Sequence, residues 1–205
     1  MKYLARLALL LLVCTLVLLP VGAQVNQESH NPDAQIVGGP EHSSTSKKPP
    51  KSQTSGLDRA DQQFLKNAAQ GGRAEVELGQ LAVQKAADPK VKEFGQRMIG
   101  DHTKANDDLK SLATAKGLTL PSDLSAPDRA AKASLSKLSG SQFDSAYMRL
   151  MVKDHKHDVA EFRKEAYDAY DPDVKTFAGQ YLPTLESHLQ QAQSIEGSLG
   201  KSHGK

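Results

Sequence analysis

Two Asp-Pro steps constrain this chain more than any other feature. In Asp88-Pro89 and Asp171-Pro172 a capping carboxylate stands directly before a proline. The aspartate can satisfy a free N–H of a new helix, and the proline, with no N–H to lose, takes the first helical position. The continuations are alike: Asp88-Pro89-Lys90-Val91-Lys92-Glu93-Phe94 and Asp171-Pro172-Asp173-Val174-Lys175-Thr176-Phe177. Apolar residues recur at helical spacing around both steps, so each reads as a turn between helices. Two helical hairpins side by side are expected.

The first helix is predicted from Leu57 to about Ala87, with Leu57, Phe64, Ala68, Leu78 and Ala82 on one stripe. The second runs from Asp88-Pro89 to near Gly117 on Val91, Phe94, Met98, Ala105, Leu109 and Leu112. A third long helix is predicted from Ser141 to about Tyr170, and a fourth from Pro172 to the glycine at 197. Between the second and third, residues 118–140 hold Pro121, Pro127, Gly140 and a weak apolar helix from Ala130 to Leu138. That length suits a crossover connection. Helices of about 28 residues are about 42 Å long. The expected fold is all-α, an antiparallel four-helix bundle with a long connection between its second and third helices.

Ahead of this domain, Lys2 and Arg6 precede an apolar run from Leu7 to Leu19 and the small-residue sequence Val21-Gly22-Ala23. Residues 1–23 therefore read as a signal peptide cleaved after Ala23, with retention as an anchor as the alternative. The run falls short of the roughly 20 apolar residues of a membrane span, and the mature chain has no transmembrane candidate. Cys14 follows Val13 inside the run, where a lipid-modified cysteine would need a small predecessor. Residues 24–56 are rich in Pro, Ser, Lys and Gln, too poor in apolar surface to offset ordering, and read as a disordered linker. His30 and His42 fall in it as solvated side chains. Residues 57–196 form the bundle domain and 197–205 a polar tail. An exported protein, most simply periplasmic, is expected.

Cleavage removes the only cysteine, which excludes disulfides and thiolate chemistry from the mature chain. It also removes two of the 26 Lys and Arg, leaving 24 against 24 Asp and Glu. A near-neutral chain without tryptophan gives no argument for nucleic acid or an anionic membrane. No nucleophile arrangement or phosphate loop is present, so an enzyme is not the expectation, and the sequence names no protein partner.

The residues that interrupt the apolar stripes are more informative. At 100° per residue, Glu75 falls about 20° from Phe64, whereas Glu77 faces away. Asp101 and His102 straddle the second stripe. Asp154, His155 and Asp158 lie within or beside the third, with His157 at its margin. His188 lies within about 20° of Phe177, and Glu186 faces out. Glu75 precedes Asp88 by 13 residues and His102 follows it by 14; His155 precedes Asp171 by 16 and His188 follows it by 17. All four therefore sit near mid-helix and can share one layer, with Gly71-Gly72 and Pro183 close by as helix-distorting features.

Burying such groups is costly unless they pair or hold a cation. One reading is a metal site of Glu75, His102, His155 and His188, with Asp101, Asp154 or Asp158 as additional ligands. The other is a set of carboxylate–imidazole hydrogen bonds that fixes helix register. Tyr147 and Tyr181 read as core aromatics with hydroxyls at the rim.

These residues sit in a wider pattern. Ala74-Glu75-Val76-Glu77-Leu78-Gly79-Gln80-Leu81-Ala82, Asp101-His102, Phe143-Asp144-x-x-Tyr147, Asp154-His155 and Leu182-Pro183-x-Leu185-x-x-His188-Leu189 resemble the bacterial domain-of-unknown-function family 4142 over residues 57–196. The resemblance implies an exported, ferritin-like helical bundle without an established activity, and its matching positions are Glu75, His102, His155 and His188. Ferritin-like di-iron sites use a Glu-x-x-His motif on each of two helices, and no inward Glu-x-x-His occurs here. The leading expectation is a module binding a divalent transition metal. Zn, Cu or Ni would suit imidazole, and Fe or Mn a carboxylate-rich set. The alternatives are a structural or stress-related envelope protein with a metal-free polar core, and a metal-dependent oxidoreductase.

Overall fold

The computed structural model describes residues 56–202, with side chains to Leu199. The expected signal peptide, nearly all of the expected linker and the last three residues lie outside the described residues. Those described fold into five helices with no strand among them: α1 (Arg59–Lys85), α2 (Pro89–Ala115), α3 (Ala126–Ser136), α4 (Gly140–Asp168) and α5 (Pro172–Ser202).

Both Asp-Pro steps start helices. Asp88 accepts a hydrogen bond from Lys90 N at 2.8 Å, and Asp171 accepts from Asp173 N at 2.9 Å. Just past the end of α2 comes Gly117, whose φ of 65° is open to glycine at little cost, and Leu118 N closes the end on Ala113 O at 2.8 Å. α1 packs mainly on α2 and α4 mainly on α5, with lesser contacts between α2 and α5 and between α1 and α4.

Two helix limits differ from expectation. α3 starts at Ala126 rather than Ala130, because Ser125 accepts from Asp128 N at 3.2 Å and Pro127 fits the first turn. α5 continues through Gly197 to Ser202 instead of giving way to a polar tail. Ile195 and Leu199, one turn apart, are both buried, and burying Leu199 offsets the roughly 1 kcal/mol that a helical glycine costs.

The connection between α2 and α4 runs along α1. Gln70 Nε2 donates to Asp123 O at 3.2 Å, Lys132 Nζ donates to Glu77 at 2.6 Å, and Lys85 Nζ reaches Leu138 O at 3.4 Å. These partners advance together in sequence, so the connection travels from the α4–α5 turn to the α1–α2 turn.

The apolar core falls into two clusters. One, near the α1–α2 turn, includes Leu78, Val91, Phe94, Met98, Phe143, Met151, Ile195 and Leu199. The other, near the α4–α5 turn, includes Phe64, Leu65, Leu109, Val159, Phe162, Val174, Phe177 and Leu185. On every long helix one polar residue separates the members of the two clusters: Glu75, His102, His155 and His188, all buried.

A candidate metal centre between two apolar clusters

Because α1, α2, α4 and α5 each pass from one cluster to the other, each contributes one side chain to the polar layer between them. One ring nitrogen from each of His102, His155 and His188 lies within 4.8 Å of the other two. Ring centroids are 5.8 Å apart for His102 and His155, 5.4 Å for His102 and His188, and 5.3 Å for His155 and His188. Phe94 meets both His155 and His188 at 6.3 and 6.4 Å, closing one side of the group with an apolar ring.

Hydrogen bonds fix which nitrogens are free. His155 Nδ1 lies 3.0 Å from Met151 O, one turn back on α4. A carbonyl only accepts, so Nδ1 carries the proton and Nε2 the lone pair. His188 Nε2 lies 2.8 Å from Asp101 Oδ2, and a carboxylate there places the ring proton on Nε2. The lone pair of a neutral His188 is then on Nδ1. These two lone-pair nitrogens, His155 Nε2 and His188 Nδ1, face each other at 3.3 Å. The third ring adds another unsatisfied nitrogen, since His102 Nε2 is buried without a hydrogen-bond partner.

Protonation does not relieve the contact. Burial, and then the charges of His155 and His188, hold His102 well below the ordinary imidazole range. Burial and then His188 bring His155 down to about 4. His188 is also lowered, chiefly by burial, although Asp101 pulls the other way. At neutral pH the layer holds three uncharged imidazoles.

Glu75 is in the layer but outside this group. Its Oε1 is 3.8 Å from His155 Nδ1, the nitrogen already committed to Met151, and its Oε2 has no partner. Burial first, then the charges of Asp158, Asp154 and Asp128, raise its carboxyl well above the usual range. Asp101 is half-exposed and bears on His188 from outside. Asp154 and Asp158 are half-buried and line a cleft on the far side of Glu75. Asp158 is pushed up to about 7 by burial and then by Asp154, Glu161 and Asp128. His157 is exposed and pairs with Glu161 at 3.5 Å. A narrow cavity of about 40 Å3 reaches His102 and His188 from the second apolar cluster, beside Gly71 and Gly72. It is large enough for a water or an ion.

The sequence reading missed two features here. Tyr147 is fully buried, with its hydroxyl unpartnered inside the core rather than at the rim; its position four residues before Met151 on the α4 stripe carried that signal. Arg97 ties α2 to α5 through Gln191 at 2.6 Å and Ser187 at 3.0 Å while its Nε lies 3.3 Å from Asp101. Only its spacing of four from Asp101 hinted at this.

The described residues thus define an all-helical domain whose core is divided by a buried glutamate and histidine layer. The chain belongs to the DUF4142 family, described as a domain of unknown function, whose model matches residues 46–195. No curated protein matches it. Among solved structures it is similar to a DUF305 fragment from Deinococcus radiodurans, with a TM-score of 0.61 and 20% identity over 71% of this chain and 98% of that one. A DUF305 protein from Streptomyces coelicolor gives a TM-score of 0.60 and 17% identity over 69% and 92% of the respective chains. CopM in its Cu(II)-bound form gives 0.58 and 15% over 67% and 96%. At these identities the likeness concerns the fold.

Proposed function

We propose that this protein is an exported, ferritin-like antiparallel four-helix bundle that binds a transition-metal ion of the copper or zinc class through His102, His155 and His188. The observation that carries the reading is the 3.3 Å approach of His155 Nε2 and His188 Nδ1, two lone pairs whose rings have spent their protons on Met151 and Asp101. A metal–imidazole bond is about 2.0–2.1 Å. Two nitrogens on one tetrahedral ion are then about 3.3 Å apart. The outer partners follow the same logic, since a ligating histidine donates its other N–H to a carbonyl or carboxylate.

An all-imidazole group favours copper or zinc over iron or manganese, which take more oxygen ligands. CopM, of similar fold, has been determined with Cu(II) and with silver bound, which is in keeping with a soft or borderline ion. In this reading Asp101 orients His188, while Glu75, Asp154 and Asp158 do not touch the ion. The reversal of α4 relative to α1, and the connection running along α1, support the antiparallel arrangement. Export to the periplasm rests on residues 1–23. The Streptomyces coelicolor neighbour is taken to be secreted, and no helix of the described residues is long and apolar enough to cross a membrane.

The test is elemental analysis of the mature protein, purified untagged from a bacterial periplasm, beside His102→Leu/His188→Leu. Near-stoichiometric copper or zinc, lost in a folded variant, is expected. A wild type that takes up no metal after incubation with Cu, Zn, Fe and Mn, and a variant of increased stability, would make the layer a structural device.

A further inference from the structure

We propose that the cleft between α1, α4 and the first turn of α3 is a second cation site, taking a hard divalent ion of the calcium or manganese class through carboxylate oxygens, with Glu75 innermost. Five carboxylates, Glu75, Asp128, Asp154, Asp158 and Glu161, line one cleft of about 300 Å3 that no lysine or arginine lines. The basic side chain that does line it, His157, pairs with Glu161, and Lys153 bears on Asp154 from outside the lining.

Surface acids often gather without a ligand. Glu75 separates this group from that case. It is 3% exposed, its Oε2 has no hydrogen-bond partner, and it lines the same cleft as Asp128, Asp154 and Asp158. A buried carboxyl oxygen with no donor is costly unless it takes up a proton or a cation, and a cation in the cleft would also hold the neighbouring carboxyls together. Oxygen-only ligation, a wide cleft and flexible side chains suit calcium or manganese rather than the imidazole-seeking ions.

The site also gives the long connection a role. Hydrogen bonds from Gln70 to Asp123 and from Lys132 to Glu77 pin that connection to α1 on either side of Glu75. They bring Asp128, on the first turn of α3, to the cleft mouth. The histidine group and the cleft face different edges of the His155 ring: Nε2 looks to His188, whereas Nδ1 is 3.8 Å from Glu75. The proposal therefore stands independently of the histidine site.

Titration of the full mature protein with Mn2+ alone, followed by electron paramagnetic resonance and calorimetry with Ca2+ as competitor, tests it. One Mn2+ per chain, displaced by Ca2+, is expected. Asp154→Asn/Asp158→Asn should weaken Mn2+ at least tenfold while leaving copper or zinc uptake unchanged, and His102→Leu/His188→Leu should keep Mn2+. Removing like charges should raise the Tm of the metal-free Asp variant, so misfolding will not mimic the loss. Asp128→Asn alone should weaken Mn2+ from the α3 side. No Mn2+ binding by the wild type, unchanged binding in the Asp variants, or loss of Mn2+ in the His variant would overturn the second site. The first two results leave the histidine reading standing, and absence of copper or zinc with Mn2+ retained does the reverse.

Discussion

His188 Nε2 lies 2.8 Å from Asp101 Oδ2, and that contact decides which His188 nitrogen faces His155. Asp101 is half-exposed and also held by Arg97, so replacing it leaves no uncompensated charge deep in the core. Asp101→Asn retains an acceptor but weakens its hold on the Nε2 proton. Metal affinity is expected to fall about 10–100-fold with little change in Tm. Competitive chelator titration measures the first and thermal melting the second.

The lowered imidazoles set a pH dependence for metal binding. Protons and metal compete for the same lone pairs, so a site of histidines with ordinary values near 6.5 loses metal as pH falls through that value. Here His155 is brought down to about 4, and His102 and His188 are lowered as well. Low folded-state values mean weak proton competition, so affinity should vary by less than about tenfold from pH 7.5 to 5.5 and drop towards pH 4. A titration series with a buffered metal measures this, and a steep loss centred near pH 6.5 would show that the ligands are solvated histidines.

Close approach of α1 and α2 depends on two glycines that face each other. A Cβ on Gly79 would stand 2.7 Å from Gly95 O, and one on Gly95 would stand 2.8 Å from Ala82 Cβ. Backbone cannot yield as a flexible side chain can. Gly79→Ala should therefore cost about 1–3 kcal/mol in chemical denaturation. Gly100, exposed on α2 with nothing within 4 Å, has no such neighbour. Gly100→Ala should stabilise by about 0.5–1 kcal/mol through helix propensity.

How much of this was readable from the sequence depends on the range of each interaction. Glu75, His102, His155 and His188 could be assigned to inward faces because a helix fixes direction at 100° per residue. Their shared layer followed from counting to the Asp-Pro turns. Whether Glu75 joins the histidines was not readable, because it turns on which edge of the His155 ring each neighbour meets. Asp154 and Asp158 project towards the interior at 100° per residue, yet a rotation of part of a turn brings them to the wall of a cleft instead. The start of α3 was legible in Ser125-Ala126-Pro127-Asp128 as a capping signal, but the apolar residues that begin at Ala130 outweighed it. Leu199 was lost behind Gly197, since propensity is local and burial is not.

Contacts between hairpins were the least legible, and they yield the last prediction. Asp144, in the second turn of α4, accepts from Ala87 N at 3.1 Å and Asp88 N at 2.9 Å, closing the α1–α2 turn. Asp61, in the first turn of α1, accepts from Tyr170 N at 3.2 Å and Asp171 N at 2.8 Å, closing the α4–α5 turn. Each hairpin thus caps the turn of the other, and both carboxylates are buried. Asp144→Ala or Asp61→Ala would leave two N–H groups without an acceptor, so each should cost about 1–3 kcal/mol. Because the clasps sit at opposite ends of α1, about 40 Å apart at 1.5 Å per residue, the double variant should lose the sum to within about 0.5 kcal/mol. Urea denaturation of the four proteins measures both quantities. A double variant that loses no more than either single one would mean that the two hairpins come apart as one unit once either clasp is cut.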